Sequence, residues 1–272
     1  MECLLSAATH AGAAFEVVRL AERMAERMDA ERRVDREIAI ARDVQAKLFP
    51  QSVPRLRSIE LAARCIQARS VGGDYYDFLE LGPEKVGFVL ADVSGKGIHA
   101  ALRMANLQAH VRSQALSAPQ DPLRVLRQVN RMLCESTQAG HFATLFFGVY
   151  HDASRRLTYI NCGHNPPLCL RCDGSVERLD ATATVLGVFE DWECALKPLQ
   201  LLPGDLLVAY SDGVTEAVRG QEQFGEDRLI EVLRSSADAP PDDLVSAVLA
   251  RVQEFVGGDP PDDLTLLIAR VR

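Results

Sequence analysis

From Phe15 to Leu48 the chain runs without glycine or proline, and apolar residues recur at alternating three- and four-residue steps as Val17, Leu20, Met24, Val34, Ile38, Ala41 and Leu48. That period predicts a long amphipathic helix whose apolar line has the form of a heptad seam. Arg27, Glu31 and Gln45 fall on the same line and weaken it, which could fix register or leave the seam switchable. A helix of this span is about 50 Å long, more than one small domain can flank. Parallel self-association into a homodimer is therefore expected, the competing reading being a single helix lying on its own core. Phe49-Pro50 and Val53-Pro54 stop the helix, because proline lacks a donor and biases its predecessor toward extended geometry. The chain thus divides into residues 1–54, a helical or coiled-coil linker, and residues 55–272, a folded domain.

Beyond the prolines the period alternates. Residues 59–68, 75–81 and 86–93 read as strands, 97–116 and 121 to about Thr137 as helices, and 142–150, 156–162 and 167–171 as strands. Strands are expected again at 196–201 and 206–211, then a polar segment after Asp212, helices over 226–236 and 241–256, and a last strand at 264–271. Strands flanking pairs of helices, with little βαβ alternation, favour a layered sandwich over a doubly wound sheet.

Composition narrows this picture. With 272 residues, 47% hydrophobic and 25% charged, the chain can bury a full core. A net charge of −8 disfavours nonspecific nucleic-acid or anionic-membrane binding, which needs a dominant basic face. No apolar run approaches the roughly 18 to 20 residues of a membrane span, and Met1 to Phe15 lacks the pattern of a secretory signal, so a cytoplasmic protein is expected. Seven cysteines scattered through apolar stretches read as buried thiols. Cys169 and Cys172 have zinc-like spacing, but they fall on a strand entering an Asp-Gly turn and no second pair completes a site.

The chemistry lies in four acidic motifs, Val71-Gly72-Gly73-Asp74, Leu90-Ala91-Asp92-Val93-Ser94-Gly95, Tyr210-Ser211-Asp212-Gly213 and Asp262-Asp263-Leu264-Thr265. Each puts an aspartate at a strand end or beside glycine. One alone would mark an ordinary turn. Four can converge at sheet ends, and convergence of like charges is costly without cations, which points to a divalent metal site. Gly72 and Gly73 allow close backbone approach there. Carboxylate oxygens suit Mg²⁺ or Mn²⁺. Two such ions can activate water for attack on phosphorus without a protein nucleophile, in keeping with the absence of Gly-x-Ser-x-Gly and Walker loops.

Taken in order, Val71 to Asp77, Asp92-Val93-Ser94-Gly95-Lys96-Gly97 with Ala100-Ala101-Leu102, Gly163-His164-Asn165-Pro166-Pro167, Leu202-Pro203-Gly204-Asp205, Ser211 to Ala217 and Asp262 to Leu266 resemble the bacterial sporulation-E and sigma-regulator type phosphatases. These belong to the metal-dependent type 2C serine/threonine phosphatases. The resemblance covers about residues 36–272 and includes the helix end from Glu37 through Phe49-Pro50. It implies an α+β fold, a four-layer α-β-β-α sandwich preceded by a long amino-terminal helix, with two Mn²⁺ or Mg²⁺ ions in a cleft at one end of the sheets. Position by position, it implies that Asp92 bridges the ions, the Val93 carbonyl helps hold one, Asp74 contacts them from the first motif, and Asp212 with Asp262 or Asp263 completes the other. Matching the final motif favours Asp262, with Asp263 in reserve. Asp74, Asp92 and Asp212 are the implied catalytic set. The implied partner is a phosphorylated regulatory protein, an antagonist of an anti-sigma factor, and an activating partner is implied too.

Other residues near these motifs carry less. Lys96 stands where many relatives have histidine, and it reads equally as a phosphate-attracting cation and an exposed turn residue. His164 reads as a structural turn histidine or as a substrate neighbour. His99 and Ser94 belong to a helix start, with Ser94 as its cap. Asp77 reads as exposed or as a partner behind the site, and Arg69 is the nearest arginine to the first motif. About fifteen residues precede the helix, so either a partner supplies the input or the chain is a fragment of a longer regulator. Two rival readings are a phosphatase fold that binds partners without turnover and a different metal-dependent phosphohydrolase.

Overall fold

The computed structural model describes residues 2–136 and 140–272, and the side chains of 2–15, 17, 18 and 21 lie outside that description. The expected helix end at Thr137 and the side chain of Val17 fall outside it as well. The chain forms two compact units, Met1–Val44 and Gln45–Arg272.

The first unit is helical. Helix α1 (Glu2–Ala46) exposes Leu20, Met24, Met28, Val34, Ile40 and Val44, an apolar content that solvent alone does not explain. The apolar line is shorter than its period suggests, because Gln45 and Leu48 belong to the second unit. Gln45 is buried there, and Leu48 lies beyond the helix end, where it packs with Phe49 against the apolar core. The helix stops four residues before Pro50, with a turn from the Leu48 N–H to the Gln45 carbonyl at 2.9 Å.

The second unit is a four-layer sandwich. Its strands are β1 (Ile59–Ile66), β2 (Asp74–Gly82), β3 (Lys85–Val93), β4 (Ala143–His151), β5 (Arg156–Cys162), β6 (Leu168–Leu170), β7 (Val176–Arg178), β8 (Lys197–Gln200), β9 (Leu206–Tyr210), β10 (Val218–Arg219), β11 (Glu222–Gln223) and β12 (Leu264–Val271). Two antiparallel five-stranded sheets, ordered β1-β12-β9-β6-β7 and β2-β3-β4-β5-β8, stack face to face, and β10 with β11 makes a small hairpin. Helices α2 (Ile98–Ser117) and α3 (Pro122–Ser136) follow β3, and the one-turn α4 (Asp212–Thr215) follows β9. Helices α5 (Gly225–Ser235) and α6 (Pro241–Val256) precede β12.

Strand parity assigns the layers. In β3, Val89, Ala91 and Val93 face the helix-side core with Met104, Leu107 and Val111 of α2, while Phe88 and Leu90 face the layer between the sheets. In β12, Leu264, Leu266 and Ile268 pack under α5 and α6, and Leu267, Ala269 and Val271 turn inward. Both faces of each sheet are thus apolar, and for this reason these strands read as continuous hydrophobic runs. The helix ends follow local chemistry. Asp121 Oδ1 accepts the Arg124 N–H at 3.0 Å ahead of Pro122, and α6 begins on Pro241 and ends on Gly257 in the left-handed region.

Three short elements are absent from the sequence-based expectation. Strand β7, the β10–β11 hairpin and helix α4 span two to four residues each, too few for a period to register.

Candidate metal centre

The register of β2 and β3 sets Asp74 directly opposite Asp92, with Thr144 of β4 on the other side of Asp92. Both aspartates share the parity of Phe88 and Leu90, so they point into the gap between the sheets at its end. Like charges directly opposite on paired strands repel. Across the gap lie Asp212, which opens α4, and Asp262 and Asp263, just before β12.

Electrostatics confirm that these groups feel each other. Burial, then Asp92 and Asp263, raise the Asp74 carboxyl well above the usual range. Asp92 is pushed up to about 7, by burial first and then by Asp212, Asp262 and Asp263, with Lys96 opposing. Asp212 is raised by burial and by Asp262. A cluster of oxygen donors that cannot all ionise unaided is one that a bound cation would stabilise.

The members are held differently. Asp74 is 3% exposed and accepts the Thr265 hydroxyl at 2.5 Å, a contact that joins the two sheets. Asp263 is buried, with Oδ1 accepting the Ala68 N–H at 2.8 Å and Oδ2 the Gly73 N–H at 3.0 Å and the Asp74 N–H at 3.4 Å. All these bonds tie down the first motif's loop. Asp262 is half exposed, and the Lys96 ammonium sits on its Oδ2 at 2.6 Å. Among the described residues no group of three or more His, Cys, Asp or Glu side chains closes round one point. Asp262 is held by lysine and Asp263 by backbone donors. The donor set itself, all carboxylate with a backbone carbonyl at Val93, matches hard divalent ions in kind.

The glycines of the first motif are required by contact. A Cβ on Gly72 would stand 1.8 Å from Asp263 Oδ2, and one on Gly73 2.7 Å from the Val93 carbonyl oxygen. Backbone therefore approaches backbone at this corner.

Several neighbours differ from their sequence readings. Asp77 is fully buried on the helix side of β2, where Arg112 of α2 reaches both its oxygens and the Tyr75 hydroxyl donates at 2.6 Å. It shares parity with Tyr75 and Leu79, away from the cleft, so it is neither exposed nor behind the cleft's aspartates. Ser94 does not cap α2, since its Oγ accepts the Phe142 N–H at 3.0 Å and Gly97 stands at the cap position. His99 is exposed, and Arg69 lies with Asp92 and Lys96 on the cleft wall.

His164 is buried, with Nδ1 paired to Thr144 Oγ1 at 2.8 Å. Burial lowers it to about 4, so the imidazole is neutral and props the strand beside Asp92. Its loop hangs on Asn161, whose amide accepts the His164 N–H at 2.8 Å and donates to the carbonyls of His164 and Leu179. Asn161 was not singled out by sequence, although a polar amide inside an apolar strand is itself a signal. Cys169 is buried in β6 and Cys172 exposed beyond it, as the strand reading requires.

Among the described residues no helix is long and apolar enough to cross a membrane. Residues 82–272 match the stage II sporulation protein E (SpoIIE) family. The chain is 32% identical over 240 residues to the phosphoserine phosphatase RsbU of Bacillus subtilis, covering 86% of this chain and 70% of RsbU. It is 30% identical over 258 residues to IcfG of Synechocystis, covering 85% of this chain but 41% of IcfG. The RsbU and RsbW domains of Rv1364c from Mycobacterium tuberculosis superpose with a TM-score of 0.71 at 28% identity, over 83% of this chain and 63% of that one. The catalytic domain of the serine/threonine phosphatase PstP, solved in complex with two manganese ions, shares the fold at a TM-score of 0.58 and 18% identity, over 79% of this chain and 98% of that one. With the sandwich, the motif order and these likenesses together, the chain belongs to the SpoIIE family, has the fold of the PP2C-type phosphatases and is a phosphatase of the RsbU kind.

Proposed function

We propose that the cleft between the sheet ends holds two divalent ions, Mn²⁺ or Mg²⁺, and removes phosphate from serine or threonine of a small regulatory protein. The observation that carries this reading is the cross-strand pair of Asp74 and Asp92, facing Asp212 and Asp262 from the other sheet. Asp74, Asp92 and the Val93 carbonyl from one sheet and Asp212 with Asp262 from the other would hold the ions. The ions, when bound, supply water activation and neutralise phosphoryl charge. Thr265 fixes the Asp74 carboxylate by donating to its Oδ2, with Ser211 also against the carboxylate. Asp263 serves the site by shaping its loop, because its oxygens already accept backbone N–H groups. Lys96 pairs with Asp262 and adds positive charge on the cleft wall for an incoming phosphate.

The likeness to the phosphoserine phosphatase RsbU supports a phosphoprotein substrate, and the motif resemblance favours an antagonist of an anti-sigma factor, in the cytoplasm, as that substrate. The exposed apolar residues of α1 support a homodimer through that helix and an activating partner that acts on it.

The test is hydrolysis of an aryl phosphate and of a phosphoserine protein with EDTA, Mg²⁺ or Mn²⁺, beside Asp92→Asn. Metal-dependent turnover that Asn abolishes supports the assignment. Equal turnover by the variant removes Asp92 from the centre, and no turnover with tight metal binding by the wild type points to a partner-binding module.

A further inference from the structure

Gln45 is 3% exposed, although it sits in the last turn of a helix that is otherwise rich in exposed charge. Its amide makes a two-bond clamp on a single residue. Nε2 donates to the Gly72 carbonyl at 2.8 Å, and Oε1 accepts the Gly72 N–H at 3.2 Å. Gln67 Nε2 donates to the same Oε1 at 2.6 Å, which fixes the amide's orientation. Both polar groups of the Gly72 backbone are thus satisfied by one side chain, as a paired strand would satisfy them.

The other side of Gly72 is closed by Asp263, since a Cβ there would collide with that carboxylate. One residue on, Gly73 donates to Asp263 and accepts the Val93 N–H at 3.3 Å. The peptides of Gly72 and Gly73 therefore join Gln45 to Asp74 on one branch and to Val93 and Asp92 on the other. Cutting the clamp leaves a buried N–H and carbonyl unpaired, and the loop must move to regain partners.

We propose that Gln45 is a positioning residue for the metal centre, holding the Gly72-Gly73 loop so that Asp74 and the Val93 carbonyl stand where divalent ions require them; the inference rests on the metal reading above. Gln45 touches neither ion nor substrate, so its effect is on cation affinity. Groups that orient metal ligands typically change affinity by about 10–100-fold when removed.

The experiment is calorimetric titration of the full chain with Mn²⁺ alone, for wild type, Asp92→Asn, Gln45→Met and Gln45→Glu, with a thermal melt of each. Met keeps the length and loses every bond. Glu keeps an acceptor for Gly72 and Gln67 and loses the donor to the Gly72 carbonyl. The expected result is Mn²⁺ binding about 10–100-fold weaker in Gln45→Met, with Gln45→Glu between it and wild type. A folded Gln45→Met that binds Mn²⁺ at wild-type affinity overturns the inference while leaving the metal centre in place. Should Gln45→Met lose its cooperative melt, wild-type affinity in Gln45→Glu overturns it equally. Wild type that binds no Mn²⁺, or binds no better than Asp92→Asn, removes the metal reading and this inference with it.

Discussion

Replacing Arg112 by methionine isolates the cost of a buried carboxylate in this fold. Asp77 is fully buried, and its partners are Arg112 Nη1 at 2.9 and 2.6 Å, the Tyr75 hydroxyl at 2.6 Å and the Phe78 N–H at 2.8 Å. Removing one partner of a buried ion pair costs about 3–5 kcal/mol. The Arg112 side chain is 41% exposed, so water already screens its charge, and the tyrosine and backbone donors remain. Those two facts bring the expected loss down to about 2–3 kcal/mol, or roughly 4–12 °C in Tm for a domain of this size. The sign of the pH dependence follows from the same contacts. Burial raises the Asp77 carboxyl above its ordinary range even against Tyr75, Arg112 and Phe78. A raised carboxyl contributes most stability below its unfolded value of about 4 and loses it as pH rises through the folded value. Without the guanidinium the folded value climbs further, so the deficit of Arg112→Met should be largest near neutral pH and shrink toward pH 4–5. Urea melts across that range, repeated in an Asp77→Asn background where the arginine has less to pair with, measure this directly. A neutral-pH loss below about 0.5 kcal/mol, or a deficit that does not change with pH, would refute the argument.

Asp263→Ala should cost about 3 kcal/mol by orphaning the backbone donors of the first motif's loop, whereas Asp262→Ala should stay within about 1 kcal/mol of wild type and lose Mn²⁺ affinity. Denaturation and calorimetry side by side separate the two, and the reverse pattern would exchange their roles. Asp152 should show the opposite pH sign to Asp77. Its oxygens accept the Ser58 hydroxyl and the N–H groups of Arg57 and Ser58, and these outweigh burial to hold it below the usual range. The stability it supplies is present above its unfolded value of about 4 and lost as pH falls through the lower folded value, so Asp152→Ala should cost about 2–3 kcal/mol at pH 7 and progressively less as pH drops below 4 by urea melts.

The sandwich was legible because two buried faces write long apolar runs, and β5, α6 and β12 end at the residues where turn chemistry says they should. That these aspartates gather at one end of the sheets was legible through motif order, whereas their supports were not. Gln45 obeys the same three-and-four spacing whether a helix meets a second helix or its own domain, so period alone could not tell which. Asp77 could have been placed by strand parity with Tyr75 and Leu79, since those neighbours face α2. Lys96 and Asp262 pair across 166 positions, a contact that no local pattern encodes.

The acidic residues ride on different sheets, and what separates them is the layer of Phe78, Phe88, Phe146, Tyr150, Leu207 and Leu267 between those sheets. The spacing of these carboxylates is therefore set by the thickness and shear of an apolar filling that includes none of them. Close-packed interiors transmit strain. A methyl group removed from Leu267 is thus an adjustment of the cleft's aperture, and mutations that tune or silence the enzyme need not lie anywhere near its carboxylates.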